Sequence, residues 1–185
     1  MLFRSVEKRG LRRYQARASM SFGNLVMPWT RHIRTGRELV RRAFDAATKI
    51  GDLTFAAYSC NNLNTNLLAC GDPLGDVQRE AENGLEFARK AQFGLVIDII
   101  AAQLALIRTL RGLTAEFGSF NDERFDESRF EHHLRSDPRL ALPECWYWIR
   151  KLQARVYAND CAGALDAASR AQKLLWTSPS FFEMA

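Results

Sequence analysis

The densest run of residues able to bind a metal or move a proton is Asp122, Glu123, Asp126, Glu127, Glu131, His132, His133 and Asp137. Imidazole and carboxylate together suit a divalent cation. His132 and His133 are sequence neighbours, however, about 100° apart on a helix, so they do not converge on one ion. Arg124, Arg129 and Arg135 are interleaved with the acids and would pair with them. The run reads as solvated helix surface, and no metal site is expected. The four cysteines, Cys60, Cys70, Cys145 and Cys161, form no CxxC pair. Each sits in a helical pattern among apolar neighbours, where a buried free thiol is the default.

Asp98 interrupts the most apolar segment of the chain. A carboxylate in such a place is costly unless paired. It is therefore a functional group with a raised pKa, a structural partner of an arginine such as Arg108 or Arg155, or the polar edge of its helix. No GxxxxGK[ST] phosphate cradle occurs, nor an HRD or DFG triplet. Neither adjacent histidine lies in the helix context of a phospho-acceptor. No catalytic residue and no cofactor is expected, and the chain does not read as an enzyme.

Binding is the chemistry left. Asn61, Asn62, Asn64 and Asn66 crowd one helix. Asparagine is a poor helix former, so four of them cost roughly a few kcal/mol against alanine. Polar side chains of this kind can line a groove that holds a peptide backbone, or form a solvated face. Trp146, Tyr147 and Trp148 are consecutive, and three successive aromatics on a helix are not expected to face inward together. Trp148 fits the core register. Trp146 or Tyr147 then turns to the preceding loop or to a partner. Asn61, Asn62, Asn64, Asn66, Trp146 and Tyr147 are the candidate partner groove.

The elements that position these residues are helices. Apolar residues at 33, 40, 43, 44, 47 and 50 form one face, and Leu53, Ala56, Ala57, Cys60, Leu63, Leu67 and Leu68 another. Gly51-Asp52 separates them as a left-handed stop and an N-cap. Gly71-Asp72-Pro73 repeats the punctuation, with Asp72 as cap and Pro73 at the first helical position. A third helix carries Leu74, Val77, Ala81, Leu85 and Ala88, and a fourth runs to about Leu110–Leu113. Residues 4–27 read as a basic amphipathic helix stopping near Pro28. Residues 114–127 are irregular but hold Phe117, Phe120 and Phe125, so the loop is expected to fold back onto the helices. A short helix over 126–135 ends at Ser136-Asp137-Pro138. A final hairpin follows, with Cys145, Trp148, Ile149, Leu152 and Val156 on its first helix. Its second helix carries Ala164, Leu165, Ala168, Ala171 and Leu175.

Charge is unevenly placed. Residues 1–42 hold eleven Lys or Arg against Glu7 and Glu38, a balance of +9, and the remainder carries −4, for the net +5. A basic arm of this kind suits nucleic acid or an anionic surface. No aromatic stacking platform or groove-reading motif accompanies it, which argues against nucleic acid. The longest apolar run, Phe93 to Ile107, is shorter than a membrane span and broken by Asp98 and Gln103. No secretory signal follows the first basic residues. No membrane insertion is expected, and the location expected is cytoplasmic.

Two hairpins superimpose. Gly51-Asp52 matches Asn159-Asp160, Val40 matches Trp148, and Phe44 matches Leu152. Ala56 matches Ala164, Cys60 matches Ala168, and Leu63 matches Ala171. Each unit is about 34 residues, the tetratricopeptide period. Three stretches resemble a particular setting: GDLTFAAYSCNNLNTNLLACGDPL at 51–74, RGLTAEFGSFNDERFDESRFEHHL at 111–134 and YWIRKLQARVYANDCAGALDAASRAQKLLW at 147–176. Together, over about Trp29 to Ala185, they are similar to the helical region of large bacterial sensor proteins. Those proteins join serine/threonine-kinase-like, P-loop ATPase, GAF and histidine kinase domains. The resemblance implies a place in signal transduction with the catalytic residues outside this chain.

The expectation is an all-α array of antiparallel helical hairpins, tetratricopeptide-like, with about seven to nine helices. Residues 1–28 form a basic helix packed on a repeat domain over 29–185. The C-terminal Ser180-Phe181-Phe182-Glu183-Met184-Ala185 starts a further helix, so the array is expected to be incomplete there and to self-associate through that edge. The function expected is a scaffold holding a protein or peptide partner, or coupling adjacent domains of a parent protein. The alternatives are a fragment of an ATP-dependent sensor kinase, or binding of nucleic acid or an anionic surface through residues 1–42.

Overall fold

A computed structural model describes residues 5, 6, 8–179 and 181. The fold is all-α, as the spacing predicts. The longer helices are α1 (Arg12–Ser21), α3 (Arg37–Lys49), α4 (Leu53–Ala69), α5 (Leu74–Lys90), α6 (Gly94–Leu110), α7 (Glu127–Arg135), α8 (Ala141–Tyr157) and α9 (Cys161–Gln172). A four-residue helix, α2 (Met27–Thr30), follows a π-helical turn at Phe22–Val26. Among the described residues there is no strand beyond one isolated bridge, Asp122 to Phe125. None of the described helices is long and apolar enough to cross a membrane. The chain divides into two compact units, Met1–Val96 and Ile97–Ala185, with the boundary inside α6.

In the first unit α1 packs on α3, α3 on α4, and α4 on α5. The N-terminal helix differs from expectation at its start. Gly10, at φ +61°, interrupts it before α1. The helix ends near Pro28 as expected: Pro28 falls in the first turn of α2, which closes at Thr30, and Arg31 is extended. The π turn brings Gly23 against Gly36. A Cβ on Gly36 would lie 2.1 Å from the Gly23 carbonyl oxygen, so this approach admits only glycine. α3 begins at Arg37 rather than Ile33. The intervening Ile33–Gly36 is a 3₁₀ turn capped by the His32 ring, whose Nδ1 accepts from the Arg34 amide at 3.2 Å.

The two hairpin turns that superimpose in sequence also match in hydrogen bonding. Gly51 has φ +73° and Asn159 +56°. The Asp52 amide donates to Ala47 O at 2.9 Å, as Asp160 donates to Arg155 O at 3.0 Å. Asp52 Oδ1 caps α4 at the Phe55 amide (3.2 Å), and Asp160 Oδ1 caps α9 at the Gly163 amide (2.9 Å). The third turn departs from expectation. Gly71 is left-handed (φ +67°), but Pro73 rather than Asp72 precedes α5, and Asp72 forms an ion pair elsewhere.

The core of the second unit joins Ala102, Ala105 and Leu106 of α6 to Phe120, Leu134, the α8 aromatics, and Ala167 and Ala171 of α9. The 114–127 segment does fold back, since Phe120 is fully buried while Phe117 points outward. Val156 and Leu165, expected on the packed face of the last hairpin, are instead exposed, Leu165 at 73%. Ala57, the residue of α4 equivalent to Leu165, is buried. Of the C-terminal residues expected to start a new helix, Phe181 is half-buried with its ring 5.1 Å from that of Trp146. Phe182 and Met184 lie outside the described residues.

Candidate functional site

The residues picked for a partner groove are inside the protein. Asn61, Asn62, Asn64 and Asn66 are each 3% exposed or less. The physical reason is clearest at Asn66. Its Nδ2 donates to Ile33 O at 2.8 Å, and its Oδ1 accepts from Arg37 Nε at 3.1 Å. Arg37 in turn grips Asp72 with two parallel bonds, at 3.0 and 2.5 Å. The hydrogen bond and charge of Arg37 hold the Asp72 carboxyl below its usual range. Asn66 is thus a strut between the 33–37 segment and α4, and its polarity is used inward.

Trp146, Tyr147 and Trp148 all face inward, contrary to expectation. This is achieved because α8 is covered on several sides. Trp146 Nε1 donates to Ser178 Oγ at 3.3 Å in the C-terminal segment. Tyr147 stacks edge-on against Phe120 of the 114–127 loop at 5.8 Å, and tilts against Phe130 of α7 at 5.6 Å. Trp148 meets the Arg170 guanidinium of α9 at 4.6 Å.

The acidic run is also more structural than a solvated surface. Glu127 and Lys151 form an ion pair whose side chains are 12% and 5% exposed. Glu127 Oε2 accepts from the Phe120 amide at 3.0 Å, and Tyr147 OH donates to Glu131 Oε1 at 2.8 Å with Glu127 Oε1 3.2 Å away. Lys151 Nζ also donates to Gly118 O at 3.3 Å. Burial pushes the Glu127 carboxyl up, but Lys151, the Phe120 amide and Tyr147 outweigh it, and the net displacement is downward. Burial pulls the Lys151 ammonium down, only partly opposed by Glu127. Desolvation and the two nearby carboxylates push the Tyr147 phenol far up. Every group has its partners, and the cluster's chemistry is to pin the loop.

Around it, Asp122 pairs with Arg108 at 2.5 Å and Asp98 with His133 at 3.0 Å. Asp98 therefore takes a histidine and neither of the arginines considered for it, since Arg155 pairs with Asp160. Burial raises the Asp98 carboxyl, and His133 partly restores it. Among the described residues no three His, Cys, Asp or Glu side chains are grouped to hold a metal.

An opening that the sequence reading missed lies in the first unit. A cleft of about 350 Å³ runs across α3, α4 and α5. Its apolar floor is Val40 and Phe44 of α3, Leu63 of α4 and Phe87 of α5. The Phe44 and Phe87 rings meet edge to face at 5.3 Å. Arg41, Asp45 and Glu80 supply its charge. Cys60 also lines it, and burial, aided by the charge of Glu80, pushes that thiol up to about 12. It is protonated at neutral pH and is no nucleophile. Read along the chain, Val40, Phe44 and Leu63 belong to core stripes. The only local signal of a cavity is that Ser59, Cys60 and Gly84 are small where the phenylalanines are large. The volume falls in the range of ligand sites, and the mix of apolar floor and few charges suits non-covalent binding. Comparison with family models, curated proteins and solved structures gave no match to this chain.

Proposed function

We propose that this chain is a non-catalytic helical-repeat module that holds a protein or peptide partner, or couples adjacent domains, within a bacterial signal-transduction protein. The observation that carries the reading is the preformed cleft across three consecutive helices, with an apolar floor and a charged rim. The matched turns of α3–α4 and α8–α9 support tetratricopeptide-like pairing. The three stretches at 51–74, 111–134 and 147–176 support the sensor-protein setting, in which ATP chemistry belongs to the parent and the purified chain hydrolyses no ATP.

Site-specific photo-crosslinking in cells tests this. A benzoylphenylalanine at Arg41 or Asp45 on the cleft rim should yield one discrete protein adduct, or a bond to a neighbouring domain of the parent. The same probe at exposed Glu82 or Glu86 should not. Equal, diffuse labelling from all four positions would refute it.

A second reading has one observation in its favour. Leu11, Tyr14, Phe22 and Leu25 line an apolar concavity of about 660 Å³, and Arg12 and Arg13 are exposed on the same helix. Apolar and basic residues together suit an anionic surface. Sedimentation with phosphatidylserine vesicles, lost at high salt and absent with phosphatidylcholine, would establish it.

A further inference from the structure

The cleft of the first unit has more acids than bases among its lining residues. Asp45 and Glu80 line it, and among the described residues neither carboxylate has an ion-pair partner. Glu80 is half-buried and stands close enough to Cys60 to raise its thiol. Arg41 is the one cation among the lining residues, and its charge is felt at Asp72, after those of Arg37 and Arg34. Two carboxylates and one guanidinium therefore line the cleft, while Asp72 nearby is held by Arg37. Beneath them lie the Phe44 and Phe87 rings. An aliphatic stem packs on such rings while its charged head stays at the wet rim. A ring face near a cation adds attraction of its own.

We propose that this cleft takes a Lys or Arg side chain from a basic segment of a protein partner, its stem on Phe44 and Phe87 and its cation between Asp45 and Glu80. This rests on the interaction-module reading above and names the chemistry of its partner. An acidic or purely apolar segment fits less well, the first because it meets two carboxylates, the second because it covers them without a counter-charge.

The test is NMR titration of the ¹⁵N-labelled full chain with three nonapeptides that differ only at the centre: Leu-Lys-Leu, Leu-Gln-Leu and Leu-Glu-Leu. The expected result is shifts confined to amides of 40–45, 59–63 and 80–87, with the lysine peptide at least about fivefold tighter than the glutamine one, a difference near 1 kcal/mol. The Asp45→Asn/Glu80→Gln variant should abolish that preference while keeping the wild-type spectrum elsewhere, and added salt should weaken it. Asp45→Asn alone, at an exposed position, gives a smaller loss and guards against a folding defect in the double variant. Equal affinities for the lysine and glutamine peptides, or shifts centred elsewhere, overturn the proposal and leave the interaction reading standing. Binding by none of the three also overturns it, and the interaction reading then rests on the crosslinking result alone.

Discussion

Lys151→Met removes the cation that balances Glu127 inside the second unit. The wild-type pair is nearly dry, with side chains 5% and 12% exposed, so solvent screening does little to soften the loss. The variant keeps the Phe120 amide and the Tyr147 hydroxyl on the carboxylate but leaves its charge uncompensated, and it strips Gly118 O of a donor. Breaking a buried pair from one side costs about 3–5 kcal/mol. Replacing both partners, as Lys151→Met/Glu127→Leu, removes the stranded charge; beyond the Gly118 O that both variants strip, it leaves the Phe120 amide unsatisfied, a cost of about 1–3 kcal/mol. The double variant should thus be more stable than the Lys151 single one. The pH dependence carries a sign. In the wild type the Glu127 carboxyl is held below its ordinary 4.5, so its contribution is full above that pH and is lost as the pH falls through the depressed value. Lys151, depressed below 10.5, carries a penalty at neutral pH that is relieved as the pH rises toward 10.5. In Lys151→Met burial of Glu127 is no longer opposed by an ammonium, so acidification from pH 7 toward 5 should stabilise the variant. Urea unfolding followed by tryptophan fluorescence, with trypsin cleavage at Arg124 as a local readout, measures both effects. A Lys151→Met midpoint equal to wild type, or one that falls on acidification, would refute the reasoning.

Three further outcomes are expected. Ala164→Trp or Ala171→Trp should lower stability by about 1–3 kcal/mol, because both alanines are buried between α8 and α9; wild-type melting in both would contradict that packing. Asn66→Leu should cost about 1–3 kcal/mol by orphaning Ile33 O and one Arg37 donor, and denaturant unfolding with an unchanged midpoint would show the strut to be dispensable. Leu165 and Trp176, both 73% exposed, should drive concentration-dependent self-association visible by sedimentation velocity. Leu165→Glu should suppress it with less than about 0.5 kcal/mol change in stability, and a wild type that stays monomeric at high concentration would remove the premise.

The helices and most of their boundaries were determined by sequence alone, because their causes are local. A 3.6-residue apolar stripe needs burial on one side whatever the partner is. Gly51-Asp52 and Asn159-Asp160 end one helix and start the next through a left-handed residue and a carboxylate that reaches its own chain three residues on. Where a distant partner competed, local reasoning gave way. Asp72 looked like a cap and became the partner of Arg37, thirty-five residues back, since a bidentate ion pair outweighs a single capping bond. The burial of the asparagines on α4 and of three successive aromatics on α8 was decided only by tertiary structure. Polarity states what a side chain must bond to, and not whether water or another segment supplies the bond. The cleft was decided there too. It is a deficit of volume summed over Ser59, Cys60 and Gly84 against Phe44 and Phe87, and a deficit shared by three helices leaves no periodic mark in any one of them.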